Sequence, residues 1–174
     1  MKHGNAENIL TGAMRAILKR CMPVLLLISS GRVWACPVEN PVVDMTVNGH
    51  ALAVEVASNR DGHMCGLAFR DHLPADHGML FAFGSDRILA FWMKDTYMPL
   101  SIAYLDADGR ILEIHQMEPR DTARRYVSTV PARYALEVNQ GWFASKSIKA
   151  GDRLELVFPG DVGVYRYQNP VHVK

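Results

Sequence analysis

Six side chains in this sequence combine ligand-binding chemistry with a place in or beside long apolar runs: Arg70, Trp92, Lys94, Thr96, Tyr97 and Glu137. The polar knuckle Lys94-Asp95-Thr96 interrupts the apolar stretch from Gly78 to Asp106. Trp92 and Tyr97 on either side of it read as walls of a shallow cleft. In that cleft Lys94 and Arg70 can orient a carboxylate, phosphate or sugar hydroxyl through charge-assisted hydrogen bonds. A structural reading stands beside this one. Glu137 is the acid of the otherwise apolar segment Tyr134 to Val138, and a buried carboxylate needs a partner, which Lys94 or Arg70 can supply as an ion pair that locks the core. An open pocket at these groups favours binding; a closed network favours the structural role.

Catalytic signatures are lacking. The sequence has no Gly-x-Ser-x-Gly elbow, no His-Glu-x-x-His and no Cys-x-x-Cys. A dyad of Cys65 with one of the six histidines after the leader rests on composition alone. His72 and His77, beside Asp71 and Asp76, fit neither a helical pair nor a zinc spacing. Asp106-Ala107-Asp108-Gly109 begins like a calcium loop but lacks the later acidic ligand. Met64, Met79, Met93, Met98 and Met117, with His115 and Trp92, can be drawn as a soft Cu(I) site, although methionines in apolar runs are usually core filler. No cofactor is implied.

The elements that would position these groups begin after a leader. Arg15, Lys19 and Arg20 form a basic region, Met22 to Ile28 an apolar one, and Val33-Trp34-Ala35 a cleavage signal, so residues 1–35 read as a secretory signal peptide with a polar N-terminal extension. The apolar run falls short of the about 20 residues that span a bilayer, so no integral membrane span is expected after cleavage. Translation from Met1 and from Met14 are both compatible with this reading. The leader carries five of the 19 Lys and Arg residues and one of the 18 Asp and Glu, which leaves a mildly acidic remainder and disfavours nucleic acid as a partner. Cys36 and Cys65 remain after cleavage. They allow a disulfide in an oxidising compartment, a lipid-modified Cys36, or two free thiols with Cys65 packed as a small hydrophobe.

A linker over residues 36–43 leads into alternating segments at Val43 to Val47 and Ala51 to Ala57, joined by Asn48-Gly49 as a hairpin. Ser58 or Asn59 caps a short helix expected to reach Phe69, or to break into turns at Gly62 and Gly66. Met79 to Phe83 and Ile88 to Lys94 read as two strands split by Gly84-Ser85-Asp86. Their nearly continuous apolar character calls for burial on both faces. Leu100 to Leu105 and Ile111 to Gln116 flank the turn at Asp106 to Gly109. Met117 to Arg133 is a long loop, with Arg120, Arg124 and Arg125 exposed. Tyr134 to Val138 is a strand, Gln140 to Ser145 a helical turn and Arg153 to Phe158 the last strand, before a tail over residues 159–174. The fold class is mostly β (α+β): one small antiparallel β-barrel or sandwich of about seven strands with one or two short helices, over residues 44–158.

These motifs resemble the family of domain of unknown function 192 (DUF192). The matching pieces are Gly66 to Arg70, Gly78 to Phe81, Phe91 to Thr96 with Pro99-Leu100, Asp106 to Arg110, Pro119, Tyr134 to Glu137, and Gly141, across about residues 44 to 157. Asp95 stands where the family commonly has Asn, Ala68 where it has Met, and Ser101 where it has Asp. The resemblance implies a small, often exported, β-rich domain and implies no activity. Residues and resemblance together lead to an exported, non-enzymatic β domain, periplasmic or secreted. Its partner would be a small molecule or an envelope protein, bound near Trp92 to Tyr97. The alternatives are a metal-handling (Cu/Zn) periplasmic protein and, after it, a hydrolase.

Overall fold

The computed structural model describes residue 36 and residues 38–155. The leader, the tail and the last residues of the final predicted strand lie outside the described residues. In chain order the elements are β1 (Val42–Val47), β2 (His50–Ala57), α1 (Arg60–Cys65), β3 (His77–Arg87), β4 (Ala90–Phe91), β5 (Leu100–Leu105), β6 (Ile111–Met117), β7 (Tyr126–Val127), β8 (Ala132–Asn139), α2 (Trp142–Ser145) and β9 (Leu154–Glu155). Seven strands form one sheet in the order β6-β5-β8-β3-β2-β1-β9, and β4 with β7 forms a second, small sheet. The mostly β fold expected from the sequence is thus present. Pairing is antiparallel throughout, except that β3 runs parallel to β2, with Val54 opposite Gly78.

The hairpin of β1 and β2 turns on Asn48 and Gly49, both at positive φ (49° and 78°) as a two-residue turn demands. The parallel pair needs a crossover, and α1 lies within it. Asn59 caps that helix, its Oδ1 accepting from the Gly62 N–H at 2.7 Å. The helix stops at Cys65 and does not reach Phe69, because Gly66 leaves helical space (φ 51°, ψ −137°) while its N–H closes onto the Gly62 carbonyl. Cys36 and Cys65 are joined as a disulfide, with Cα atoms 5.6 Å apart. That ties the linker to the end of α1 and leaves no free thiol at Cys65 for a Cys–His dyad.

Two expectations for the central stretch need correction. Gly84-Ser85-Asp86 does not end a strand: β3 continues through it to Arg87, with a register shift against β8 between Ala82 and Arg87. Arg133 on β8 donates from Nε to Asp86 Oδ1 at 2.7 Å and holds that end in place. The run from Ile88 to Lys94 supplies only the two residues of β4. Its Leu89 and Met93 are buried from irregular backbone, so here an apolar run is cover for a core and not a strand. The segment from Met117 to Arg133 is likewise more organised than a loop. Its β7 pairs with β4, Tyr126 is buried, and Ser128 accepts the Leu89 N–H at 2.9 Å.

The large sheet curls into a half-barrel whose edges meet at one corner. There Arg110 and Arg153 form an antiparallel bridge, the Ile111 N–H donates to the Asp152 carbonyl and the Leu154 N–H to the Gly109 carbonyl, both at 2.8 Å. One apolar cluster fills the concave side, with Met45, Leu52, Val54, Leu80, Leu136 and Phe143 among its members. A second lies on the outer face of β3, β5 and β8, roofed by Leu67, Leu89, Met93, Met98 and Tyr126. Every residue of β5 is buried, as a strand covered on both faces must be.

Gly78 sits where β3 passes β8 most tightly. A Cβ there would lie 2.8 Å from the Glu137 carbonyl oxygen and 3.0 Å from a Val138 methyl. Gly78→Ala is therefore expected to lower stability by about 1–3 kcal/mol through forced backbone displacement, read as a lower urea midpoint.

Candidate functional site

The strand period of β8 sends Leu136 and Val138 to the concave core and Glu137 to the outer face, between Met79 on β3 and Ile102 on β5. Glu137 is 5% exposed. Among the described residues no ion pair or hydrogen bond reaches its carboxyl group. Burial alone pushes its pKa up to about 8. No fully enclosed side-chain nitrogen or oxygen among the described residues lacks a partner. The Glu137 oxygens therefore open onto free space, a cavity of about 50 Å³ that Glu137 lines together with Thr96, Lys94, Trp92, Phe91, His63 and the Cys65–Gly66 backbone turn.

The knuckle is shaped by backbone conformation. Asp95 has φ 57°, and its carbonyl accepts the Phe69 N–H at 2.7 Å. Phe69 is itself at φ 64°, so two residues in the left-handed region are joined by this hydrogen bond. Asn and Asp are the side chains that tolerate this region best after glycine, so Asp95 serves the turn as Asn would. Beyond Asp95 the chain turns inward and buries Thr96, whose N–H donates to the Met93 carbonyl at 3.2 Å and whose carbonyl accepts the Arg120 N–H at 2.9 Å.

A second, apolar cavity of about 350 Å³ adjoins the first and shares His63, Met64, Phe81, Phe91 and Trp92 with it. Phe83, Arg87, Ile88, Leu89 and Ala90 complete this groove. Its rim exposes large apolar side chains, Met64 at 76% and Trp92 at 44%. The chain's own cations lie on its aromatic rings: Arg125 is 4.1 Å and the Lys94 ammonium 5.4 Å from the Trp92 centroid, and Arg87 is 5.1 Å from Phe83.

Of the residues expected in the cleft, Trp92, Lys94, Thr96 and Glu137 share one cavity. Arg70 and Tyr97 are not brought to it. Arg70 makes a two-pronged ion pair with Glu55 on β2, its Nη2 donating to Oε2 at 2.8 Å, and that hydrogen bonding raises its pKa. Tyr97 turns outward beneath Arg120, 4.8 Å from the ring centroid. The ion pair expected between Glu137 and Lys94 or Arg70 does not form: Glu55 holds Arg70, and Lys94 lies over Trp92. His63 was not legible as a site residue, being a lone histidine on a short helix. Its Nε2 lies 3.0 Å from the Ala57 carbonyl and 3.1 Å from that of Ala82, which places a proton on Nε2, and burial lowers its pKa.

Metal chemistry finds little to use here. Met79, Met93, Met98 and Met117 are buried in the outer cluster, Met64 is exposed, and His115 pairs with Glu113 at 2.9 Å. No group of three or more His, Cys, Asp or Glu among the described residues is placed to hold an ion. Asp106 Oδ1 accepts the N–H groups of Asp108 and Arg110, both at 2.9 Å, so it serves as a turn residue.

The DUF192 family model, described as uncharacterized ACR, matches residues 43–156. This chain belongs to the DUF192 family. A solved structure from Sinorhizobium meliloti 1021, described provisionally as a transcription regulator, is 35% identical to it with a TM-score of 0.65, covering 68% of this chain and 95% of that one. A protein of unknown function from Novosphingobium aromaticivorans DSM 12444 is 32% identical with a TM-score of 0.62, covering 66% and 84%. No curated protein matches.

The raised pKa of Glu137 in this DUF192 domain has a definite sign. Between the ordinary value of 4.5 and about 8 the folded chain holds a proton that the unfolded chain releases. Stability therefore falls as pH rises across that window and levels off above it. Glu137→Gln is expected to flatten this slope and to leave the variant more stable than the parent near pH 9, as read from urea midpoints between about pH 5 and pH 9.

Proposed function

We propose that this DUF192 domain is an exported, non-enzymatic binding module that takes a small ligand into the two-part cleft formed by the Glu137 cavity and the adjoining aromatic groove. The observation that carries this reading is Glu137: a carboxyl group buried to 5% exposure, facing a cavity, with no cation of the chain to pair with it among the described residues. A buried acid without a partner costs stability, and a ligand that satisfies it recovers that cost on binding. The groove of about 350 Å³ lies in the size range of small-molecule sites and supplies apolar area beside this polar point.

Export is supported by the basic and apolar segments of the leader and by the Cys36–Cys65 disulfide, which suits an oxidising compartment. A non-enzymatic role is supported by the surroundings of Glu137. Of the groups that share its cavity, Cys65 is held in a disulfide, the Thr96 hydroxyl donates to the Lys94 carbonyl, and His63 has its Nε2 engaged by two carbonyls. The regulatory description of the Sinorhizobium protein does not enter this reading, because the chain after its leader is mildly acidic.

Trp92 and Lys94 are exposed, so Trp92→Ala and Lys94→Ala should each fold with stability within about 0.5 kcal/mol of the parent. In a thermal-shift screen of small molecules against the purified protein, compounds that stabilise the parent should lose their effect on both variants. If both variants retain every shift seen with the parent, the cleft is not the binding site.

A further inference from the structure

We infer that the ligand of this cleft carries a primary ammonium group on an apolar stem, with the ammonium seated against Glu137 and the stem along Phe81, Phe83, Phe91 and Trp92. The inference rests on the cleft reading above and assigns the chemistry of the ligand's head.

Three observations lead to it. The cavity at Glu137 measures about 50 Å³, room for a head of roughly the size of one or two water molecules. The group such a head must satisfy is an acid, and the cations nearby are already committed elsewhere: Arg70 to Glu55, Lys94 and Arg125 to the face of Trp92, and Arg87 to the face of Phe83. A carboxylate or phosphate head would meet Glu137 with no guanidinium to offset it, and a divalent ion would find no second or third acidic ligand among the described residues. The walls that continue outward from the cavity are aromatic, and ring faces accept an alkylammonium while packing its methylenes.

Binding is then a proton exchange. Glu137 gives its proton to solvent as the ammonium enters, and an N–H⁺···⁻O pair takes the place of the neutral acid; no covalent bond between ligand and protein forms. The ionisable groups facing Glu137 are few. His63 contributes from α1, its pKa lowered by burial; Lys94 contributes from the segment after β4; and Tyr104 contributes from β5, its hydroxyl donating to the Tyr126 carbonyl at 2.7 Å. Met79 and Ile102, paired directly with Glu137 on the two neighbouring strands, carry no charge. The proton released between about pH 6 and pH 8 therefore comes from Glu137.

The test is calorimetric titration of the purified protein with phenethylamine, and with phenylpropionate and phenylethanol as anionic and neutral counterparts. Phenethylamine should bind and the other two should not. Its apparent affinity at about pH 6 should be about 50-fold weaker than at about pH 8, because only the ionised fraction of Glu137 accepts it. Below pH 8 the heats should vary with the ionisation enthalpy of the buffer, which reports the released proton. Glu137→Gln, which keeps the shape of the side chain, should cost at least tenfold in affinity. Nα-acetyl-lysine amide is the second amine probe; binding of either amine supports the inference, and their ratio separates a free amine from a lysine side chain on a peptide. Unchanged amine affinity in Glu137→Gln, or tighter binding of phenylpropionate, overturns the ammonium chemistry while leaving the cleft in place if Trp92→Ala still abolishes binding. Binding by none of the probes overturns the inference; the cleft reading itself fails only if the small-molecule screen on Trp92→Ala and Lys94→Ala also fails.

Discussion

The neighbouring strands β5, β8 and the Gly78–Phe81 part of β3 are covered on one side by the concave core and on the other by the segments around β4 and β7, so side chains there are largely removed from water whichever way they point. Polar groups placed there must find partners inside the protein. Most do. The Tyr104 hydroxyl donates to the Tyr126 carbonyl, and Ser101 donates to Gln116 while accepting the Gly141 N–H. Among the described residues of these strands Glu137 is the exception, and it lines a cavity. An apolar residue at this position would satisfy the fold at less cost, so the acid has no purpose in packing alone.

The wall over that cavity is held by three links of different kinds within six residues. A disulfide fixes Cys65 to Cys36, the Arg70–Glu55 pair anchors the other end to β2, and between them the Phe69 N–H bonds the Asp95 carbonyl. Phe69 and Asp95 both pay a conformational cost in the left-handed region, which persists because the links around them over-determine the backbone. The Phe69–Asp95 hydrogen bond thereby joins the wall to the knuckle.

Much of the frame could be read from residue patterns, and the misreadings have identifiable causes. Asn48-Gly49 and the alternating valines of β1 and β2 gave the first hairpin without ambiguity, since that turn chemistry has few other uses. Ile88 to Lys94 was misread as a strand because an apolar run records burial and not backbone shape; Leu89 and Met93 are buried as irregular cover. The site was half legible. Trp92, Lys94 and Thr96 adjoin one another in sequence and stayed together, and the acid in an apolar strand pointed to Glu137. Arg70 was misplaced because its partner, Glu55, sits on an ordinary alternating strand where an outward-facing acid carries no signal. His63 and Phe81 reach the cavity only through the crossover from β2 to β3, a long-range arrangement that no local spacing encodes.

The corner where Arg110 meets Arg153 has a bearing on how the chain acquires its shape. The strands that close there are distant in sequence: β9 adds to β1 with Glu155 opposite Thr46, and its start reaches the turn before β6. The hairpins of β1 with β2 and of β5 with β6 need only short loops, whereas this clasp must wait for nearly the whole domain to be synthesised and gathered, since loop-closure entropy opposes contacts of high separation. Until it forms, β1 and β6 present bare strand edges. The late-arriving β9 thus acts as the cover for edges that would otherwise invite pairing with another chain.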